Sequence, residues 1–250
     1  MKKYLLALLM LISTIAFGKK LYVGTNAEFV PYEYLENGQL KGFDIELMEA
    51  LGAELGYEIV WTNMGFDGLL PALQMKKIDA VIAGMSSTPE REKAVSFSTP
   101  YMLIDSSDHL VLVNKNSLYN KKEDLKGKHI GVQIGTIQEQ FAKDLGGIPK
   151  LYDGWTNAIM DLEHNKIDAV IIADVTGEKY LQSVKNIKKI DIVVDTNPGA
   201  AIAVRKADKQ LVENLNKALE SIDEKEIYIQ ILEKYFPEKV KQYKKINKNF

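Results

Sequence analysis

Arg91 and Asp174 are the charged residues around which a binding chemistry can be built. Arg91 ends the run Gly84-Met85-Ser86-Ser87-Thr88-Pro89-Glu90-Arg91, and its guanidinium can take a carboxylate in a bidentate pair. Asp174 follows the apolar run 167–173. With the Ser86 hydroxyl and the Gly84 carbonyl it can accept from an ammonium group. The segment Gln133-Ile134-Gly135-Thr136-Ile137-Gln138 leads into a helical pattern, so the free N–H groups of Thr136 and Ile137 suit the same carboxylate. Phe29 and Phe66 add aromatic faces, and Asn26 and Gln133 add amides. Such a set can receive a zwitterion. By type alone each residue also has a plainer use. Arg91 can pair with Glu90 or Glu92 on a solvated helix start. Phe29 and Phe66 can be core aromatics, and Asp174 can cap a helix.

The elements that must position these residues alternate along the chain. Apolar runs at 21–24, 57–61 and 78–83 read as strands, separated by helical spacing over 43–55 and 68–75. Gly56 is the expected C-cap of the first helix, and Pro71 is tolerable only in the first turn of the second. The order then recurs: strands at 129–133, 150–152 and 167–173, helices at 136–145 and 157–164. Lys77-Ile78-Asp79-Ala80-Val81-Ile82 returns letter for letter as Lys166-Ile167-Asp168-Ala169-Val170-Ile171. Two similarly built α/β lobes with largely parallel sheets follow. The chain is expected to cross between them at 105–109 and to return at Asn197-Pro198-Gly199. This places lobe 1 at 19–106 plus 199–250 and lobe 2 at 107–198. A closing helix that presents Leu211, Leu215, Ala218, Leu219 and Ile222 on one face should pack back on lobe 1. Ligands of open α/β sheets bind beyond the carboxyl ends of the strands, where the candidate residues lie.

Composition removes other classes. Thirty-two basic residues face 34 acidic ones, a formal charge of −2, without the basic surplus of a nucleic-acid binder. No cysteine occurs, which excludes disulfides, thiolate metal sites and a cysteine-linked lipid anchor. The three histidines, at 109, 129 and 164, lack metal-ligand spacing, so neither a metal nor a cofactor is expected. Phosphate-loop, dinucleotide and serine-hydrolase motifs are absent. Residues 1–18 begin Met1-Lys2-Lys3, run apolar to Phe17 except for Ser13 and Thr14, and end in Ala16-Phe17-Gly18. That is the pattern of a secretory signal peptide; a buried element and an uncleaved anchor are the alternatives. The lysines at 239, 241, 244, 245 and 248 read as a solvated, frayed tail.

In order and spacing the chain resembles the bacterial periplasmic amino-acid-binding proteins, solute receptors of ABC importers. The fragments that carry this are Gly24-Thr25-Asn26-Ala27, Gly42-Phe43-Asp44-Ile45, Ile78-Asp79-Ala80, Gly84-Met85-Ser86 with Thr88-Pro89-Glu90-Arg91, and Phe97-Ser98-Thr99-Pro100-Tyr101. Leu125-Lys126-Gly127-Lys128, Gly135-Thr136 and the Asp168 and Asp174 positions complete them. The resemblance implies a type II periplasmic-binding-protein fold, α/β and two-lobed, with a two-strand hinge, ligand-gated closure and no catalysis. It implies a monomer that binds a free L-amino acid and docks on membrane permease subunits. By position, Arg91 becomes the carboxylate clamp, with the N–H groups of Ser86 and Ile137 and the Thr136 hydroxyl. Asp174 becomes the ammonium acceptor, helped by Gly84 and Ser86, beside Met85. Phe29 and Phe66 flank the ligand side chain, which Asn26 and Gln133 read, and Glu28 offers a further acceptor to a basic tip. Relatives often carry a hydroxyl or glycine where Ile137 stands. Two aromatic faces favour a cationic group, so arginine is expected first and lysine next, with glutamine as competitor. A cyclohexadienyl-type dehydratase with Glu28 as general acid is the alternative of another class; a sensor ectodomain ranks below it. Export without a lipid-anchor cysteine implies a receptor free in the periplasm.

Overall fold

The computed structural model describes residues 18–102 and 107–247. The expected signal segment, except Gly18, and part of the first crossing lie outside the described residues. The chain opens with β1 (Lys19–Thr25), followed by the short strands β2 (Glu28–Phe29), β3 (Glu33–Glu36) and β4 (Gln39–Lys41). Helix α1 (Phe43–Leu55) comes next, then β5 (Tyr57–Asn63), α2 (Phe66–Gln74), β6 (Ala80–Val81), α3 (Pro89–Ala94) and β7 (Val95–Phe97). The second series is β8 (Ser107–Asn114), β9 (His129–Gln133), α4 (Ile137–Asp144), β10 (Ile148–Tyr152), α5 (Trp155–Glu163), β11 (Ala169–Ala173), α6 (Asp174–Ser183) and β12 (Ile187–Asp195). Strand β13 (Ala203–Arg205) and helices α7 (Lys209–Glu224), α8 (Ile227–Tyr235) and α9 (Val240–Asn247) close the chain.

Two five-stranded sheets result, β5-β1-β6-β13-β7 and β10-β9-β11-β8-β12. Each combines three parallel strands with two that join antiparallel. The sheets are mixed, yet four of the five strands in each run in one direction, with only β13 and β8 reversed. The antiparallel strands β8, β12 and β13 flank the two crossings, where the chain reverses between lobes.

The repeated hexapeptide has a structural explanation. Ala80 pairs with Val23, and Ala169 pairs with Ile130. The preceding aspartate does the same work in both lobes. Asp79 N–H donates to Tyr22 O (2.7 Å) while its carboxylate accepts from Tyr22 N–H (3.2 Å). Asp168 repeats this on His129, at 2.9 and 2.8 Å. Each aspartate thus clamps the neighbouring strand one residue before the ladder begins.

Helix α1 matches its expected span and Gly56 closes it, donating to Ala53 O. Helix α2 starts two residues earlier than the apolar spacing suggests, which puts Pro71 in its second turn. Strand β6 is confined to Ala80 and Val81, because the chain turns away at Gly84 to form the cleft wall. The α7 face is as expected: Leu215, Ala218 and Ile222 are buried and Leu211 and Leu219 pack beside them, against α1, β7 and β13 of the first lobe. In the second lobe β8 alternates Leu110 and Leu112 toward one core with Val111 and Val113 toward another, so its sheet is covered on both faces.

Candidate functional site

The carboxyl ends of the parallel strands of both sheets converge on one cavity. Helix α3 positions Arg91: Pro89 takes its first position, and the Thr88 side chain caps it by accepting from Arg91 N–H (3.3 Å). The guanidinium donates to Ser86 O (2.9 Å) and, across the cleft, to Gly135 O (3.1 Å), and lies 5.3 Å from the Phe66 ring centre. Glu90 pairs with Lys93 instead, and no described carboxylate forms an ion pair with Arg91. Burial lowers the Arg91 pKa to about 10, partly offset by Asp195. It stays a cation at neutral pH, half-buried and lining the cavity.

Asp174 is the first residue of α6 and also lines the cavity; its Oδ1 accepts from Val175 N–H (2.6 Å). Ile137 opens α4, where an N–H has no partner within the helix. Thr136 donates its hydroxyl to Gln133 O (2.6 Å). That proton is committed inside the protein, so the Thr136 hydroxyl does not donate to a carboxylate in this arrangement. Asn26 and Gln133 are buried and bridge the lobes: Gln133 Nε2 donates to Asn26 Oδ1 and to Asp153 O, both at 2.9 Å. Asn26 Nδ2 in turn donates to Met64 O.

Phe29 stacks on Tyr32 (4.6 Å, 12°), and its ring covers Gly84 so closely that a Cβ there would meet it at 2.4 Å. Gly84 has φ +54° and lines the cavity beside Ser86. Two candidates lie elsewhere. Met85 is turned into the core with Leu69, Leu73 and Ile78, because alternate residues of the segment face opposite sides. Glu28 sits in a separate recess between the lobes with Asn63, Asp153 and Gly154, behind the Asn26–Gln133 bridge. Partial burial of its carboxyl raises its pKa.

The cavity wall also holds residues that the sequence reading does not single out, including Tyr32, Glu33, His109, Trp155, Asp195 and Lys239. His109 and Asp195, at the hinge ends of β8 and β12, approach to 3.9 Å, and His109 Nδ1 meets Gln138 Nε2 at 3.2 Å. Asp195 stands just before the expected return turn, and that position is the one available signal. The lysine tail is not uniformly solvated: Lys239 is half-buried in the wall, and Val240 and Tyr243 pack on the core.

Beneath Gly84 lies a pair of carboxyls, Glu33 and Asp44, at 1% and 0% exposure. Asp44 Oδ2 accepts from Gly84 N–H and from the Tyr101 hydroxyl, each at 2.7 Å. Burial raises both groups, Glu33 well above the carboxylate range and Asp44 from 3.8 to about 6, and the charge of Asp44 adds to the rise at Glu33. Because the folded pKa of Asp44 lies above the unfolded one, its contribution to stability is fully present below about pH 4. That contribution is lost as pH rises through about 6. Asp44→Asn should flatten the fall of melting temperature across this window. A fall as steep as in the wild type would show that Asp44 is not its source.

The lobes approach each other at Gly135, which has φ +77° and whose Cβ, if present, would lie 3.0 Å from Asp67 Cα and Cβ in the facing lobe. Gly135→Ala is expected to hold the lobes apart and weaken binding about tenfold, or about 1.4 kcal/mol, because this contact exists only where the lobes meet. Small-angle scattering with and without ligand checks it; normal compaction would refute the block.

The match to known proteins covers this same architecture. The family model described as "Bacterial extracellular solute-binding proteins, family 3" matches residues 21–238. The chain belongs to that family. Among its relatives is the ABC transporter arginine-binding protein 1 of Escherichia coli (strain K12), 36% identical over 249 residues, covering 95% of this chain and 100% of that one. A solved structure of an ancestral arginine-binding protein bound to arginine is 39% identical, with TM-score 0.79, covering 88% of this chain and 99% of that one. An ancestral arginine-binding protein bound to glutamine is 39% identical, with TM-score 0.79, covering 87% and 97%. The fold of this solute-binding protein is the two-lobed type II periplasmic-binding-protein fold. No helix among its described residues is long and apolar enough to cross a membrane.

Proposed function

We propose that this solute-binding protein captures a free L-amino acid with a cationic side chain, arginine first and lysine next, and delivers it to the permease of an ABC importer. The observation that carries the reading is Arg91, a half-buried cation with two carbonyl partners and no described ion-pair partner, in the cavity wall. The ligand carboxylate completes its coordination together with the N–H groups of Ser86 and Ile137. Asp174, Gly84 and the Ser86 hydroxyl take the α-ammonium. The side chain runs between Phe29 and Phe66 toward Asn26 and Gln133. The arginine-binding relatives support this choice. The amide bridge and the glutamine-bound relative make glutamine the competitor.

Lobe 1 comprises 19–106 and 199–250 and lobe 2 comprises 107–198. Ligand draws them together, since only contacts added in the closed form favour closure. The protein acts as a monomer in the periplasm after removal of residues 1–18, without catalysis. The position of Glu28 behind the amide bridge counts against its use as a dehydratase acid. Calorimetry against the twenty amino acids tests the assignment. L-Arginine should bind tightest; glutamine in first place overturns the basic preference, and an acidic or aliphatic ligand in first place overturns the site. Turnover of cyclohexadienyl acids, lost in Glu28→Gln, would overturn the binding role.

A further inference from the structure

Lys239 enters the cavity from a part of the chain far from the other wall residues. It ends the short turn Pro237–Lys239 between α8 and α9. Its N–H is anchored on Phe236 O (2.9 Å) and its ammonium stands 5.3 Å from the Phe236 ring. Phe236 is itself 1% exposed, packed on Tyr32 and Phe43 at 4.8 and 5.4 Å between ring centres. The base of Lys239 is therefore fixed, and its stem lies in the cavity wall with Asp174.

Neighbouring lysines are paired: Lys225 with Glu54 and Lys234 with Glu46. Among the described residues no carboxylate forms an ion pair with Lys239. The stronger of the two carboxylate fields that reach it is that of Asp174, from the facing lobe, and Glu238 comes second. Burial holds the ammonium below its ordinary range, the mark of a cation short of partners. Asp174 spends Oδ1 on Val175 N–H and lines the same cavity as Lys239.

We infer that Lys239 is a tethered rival of the ligand: its ammonium compensates Asp174 until an amino acid arrives and competes there with the incoming α-ammonium. This rests on the amino-acid-binding reading and adds a residue that sets affinity. The competition concerns the group that all α-amino acids share. It therefore weakens arginine and glutamine by the same factor, unlike a residue that reads the side chain.

The test is a calorimetric cycle of wild type, Lys239→Met, Asp174→Asn and the double variant, each titrated with L-arginine and with L-glutamine. Methionine keeps the apolar stem over Phe236, and Lys239→Arg keeps the charge. Lys239→Met should bind both ligands about three- to tenfold tighter, Lys239→Arg should bind as wild type, and the gain should vanish on the Asp174→Asn background. Unchanged or weaker binding by a Lys239→Met protein of normal melting temperature overturns the inference, as does an equal gain without Asp174. A melting temperature lowered in Lys239→Met but not in Lys239→Gln shifts the same criteria to the glutamine variant. Failure of the wild type to bind any amino acid overturns the functional reading and this inference together, whereas wild-type binding with no Lys239 effect overturns the inference alone.

Discussion

Arg91→Ala is expected to weaken amino-acid binding at least a hundredfold in calorimetry. The side chain makes two hydrogen bonds in the structure, to Ser86 O and Gly135 O, and offers its remaining donors to the ligand carboxylate. A hydrogen bond to a charged group contributes about 1.5–3 kcal/mol, and a carboxylate left in this cavity without its cation loses more than one. The Gly135 bond also ties α3 of one lobe to the start of α4 in the other, so the variant loses a contact specific to closure. Arg91→Lys should recover little, since an ammonium cannot match the bidentate geometry. Binding within threefold of wild type in Arg91→Ala would place the carboxylate elsewhere.

Asp174→Ala carries the second large effect: affinity for every α-amino acid should fall at least tenfold, because the ligand ammonium loses its anionic partner. Asp174 also opens α6 and accepts from Val175 N–H, so alanine removes a favourable charge from a helix N-terminus, about 0.3–1 kcal/mol. Asparagine in place of the aspartate retains an acceptor for Val175 N–H while removing the charge. Asp174→Asn should therefore lose only that helix-terminus contribution in stability and still lose the affinity. Affinity preserved in Asp174→Asn would show that carbonyls alone hold the ammonium and would remove Asp174 from the site.

Helix α1 is legible along the chain because its period, its acidic first turn and its closing glycine lie within one stretch of residues, and its span follows from those. Strand β6 and helix α2 depart from their expected spans because their ends answer to distant groups. The run 78–83 is apolar throughout, yet its ladder stops where the chain must leave the sheet to carry Gly84 and Ser86 into the cleft. The short hairpin strands β2, β3 and β4 pair only with one another, and too few residues alternate there to set a period. Met85 and Glu28 group with true cavity residues along the chain, but a one-residue step turns a side chain to the opposite face, and Glu28 is screened by a bridge between residues 107 positions apart.

The residue types and their order along the chain determined the α/β repeat, the family and the candidates Arg91 and Asp174, because a guanidinium and a carboxylate at strand ends are chemical facts independent of packing. Tertiary structure alone decided which of the candidates share a cavity, that the Thr136 hydroxyl is already committed, and that Glu33 and Asp44 are buried side by side under Gly84. It alone brought Lys239 from the final helices to the wall beside Asp174. Desolvation and through-space charge depend on what surrounds a group in three dimensions, and neither leaves a pattern along the chain.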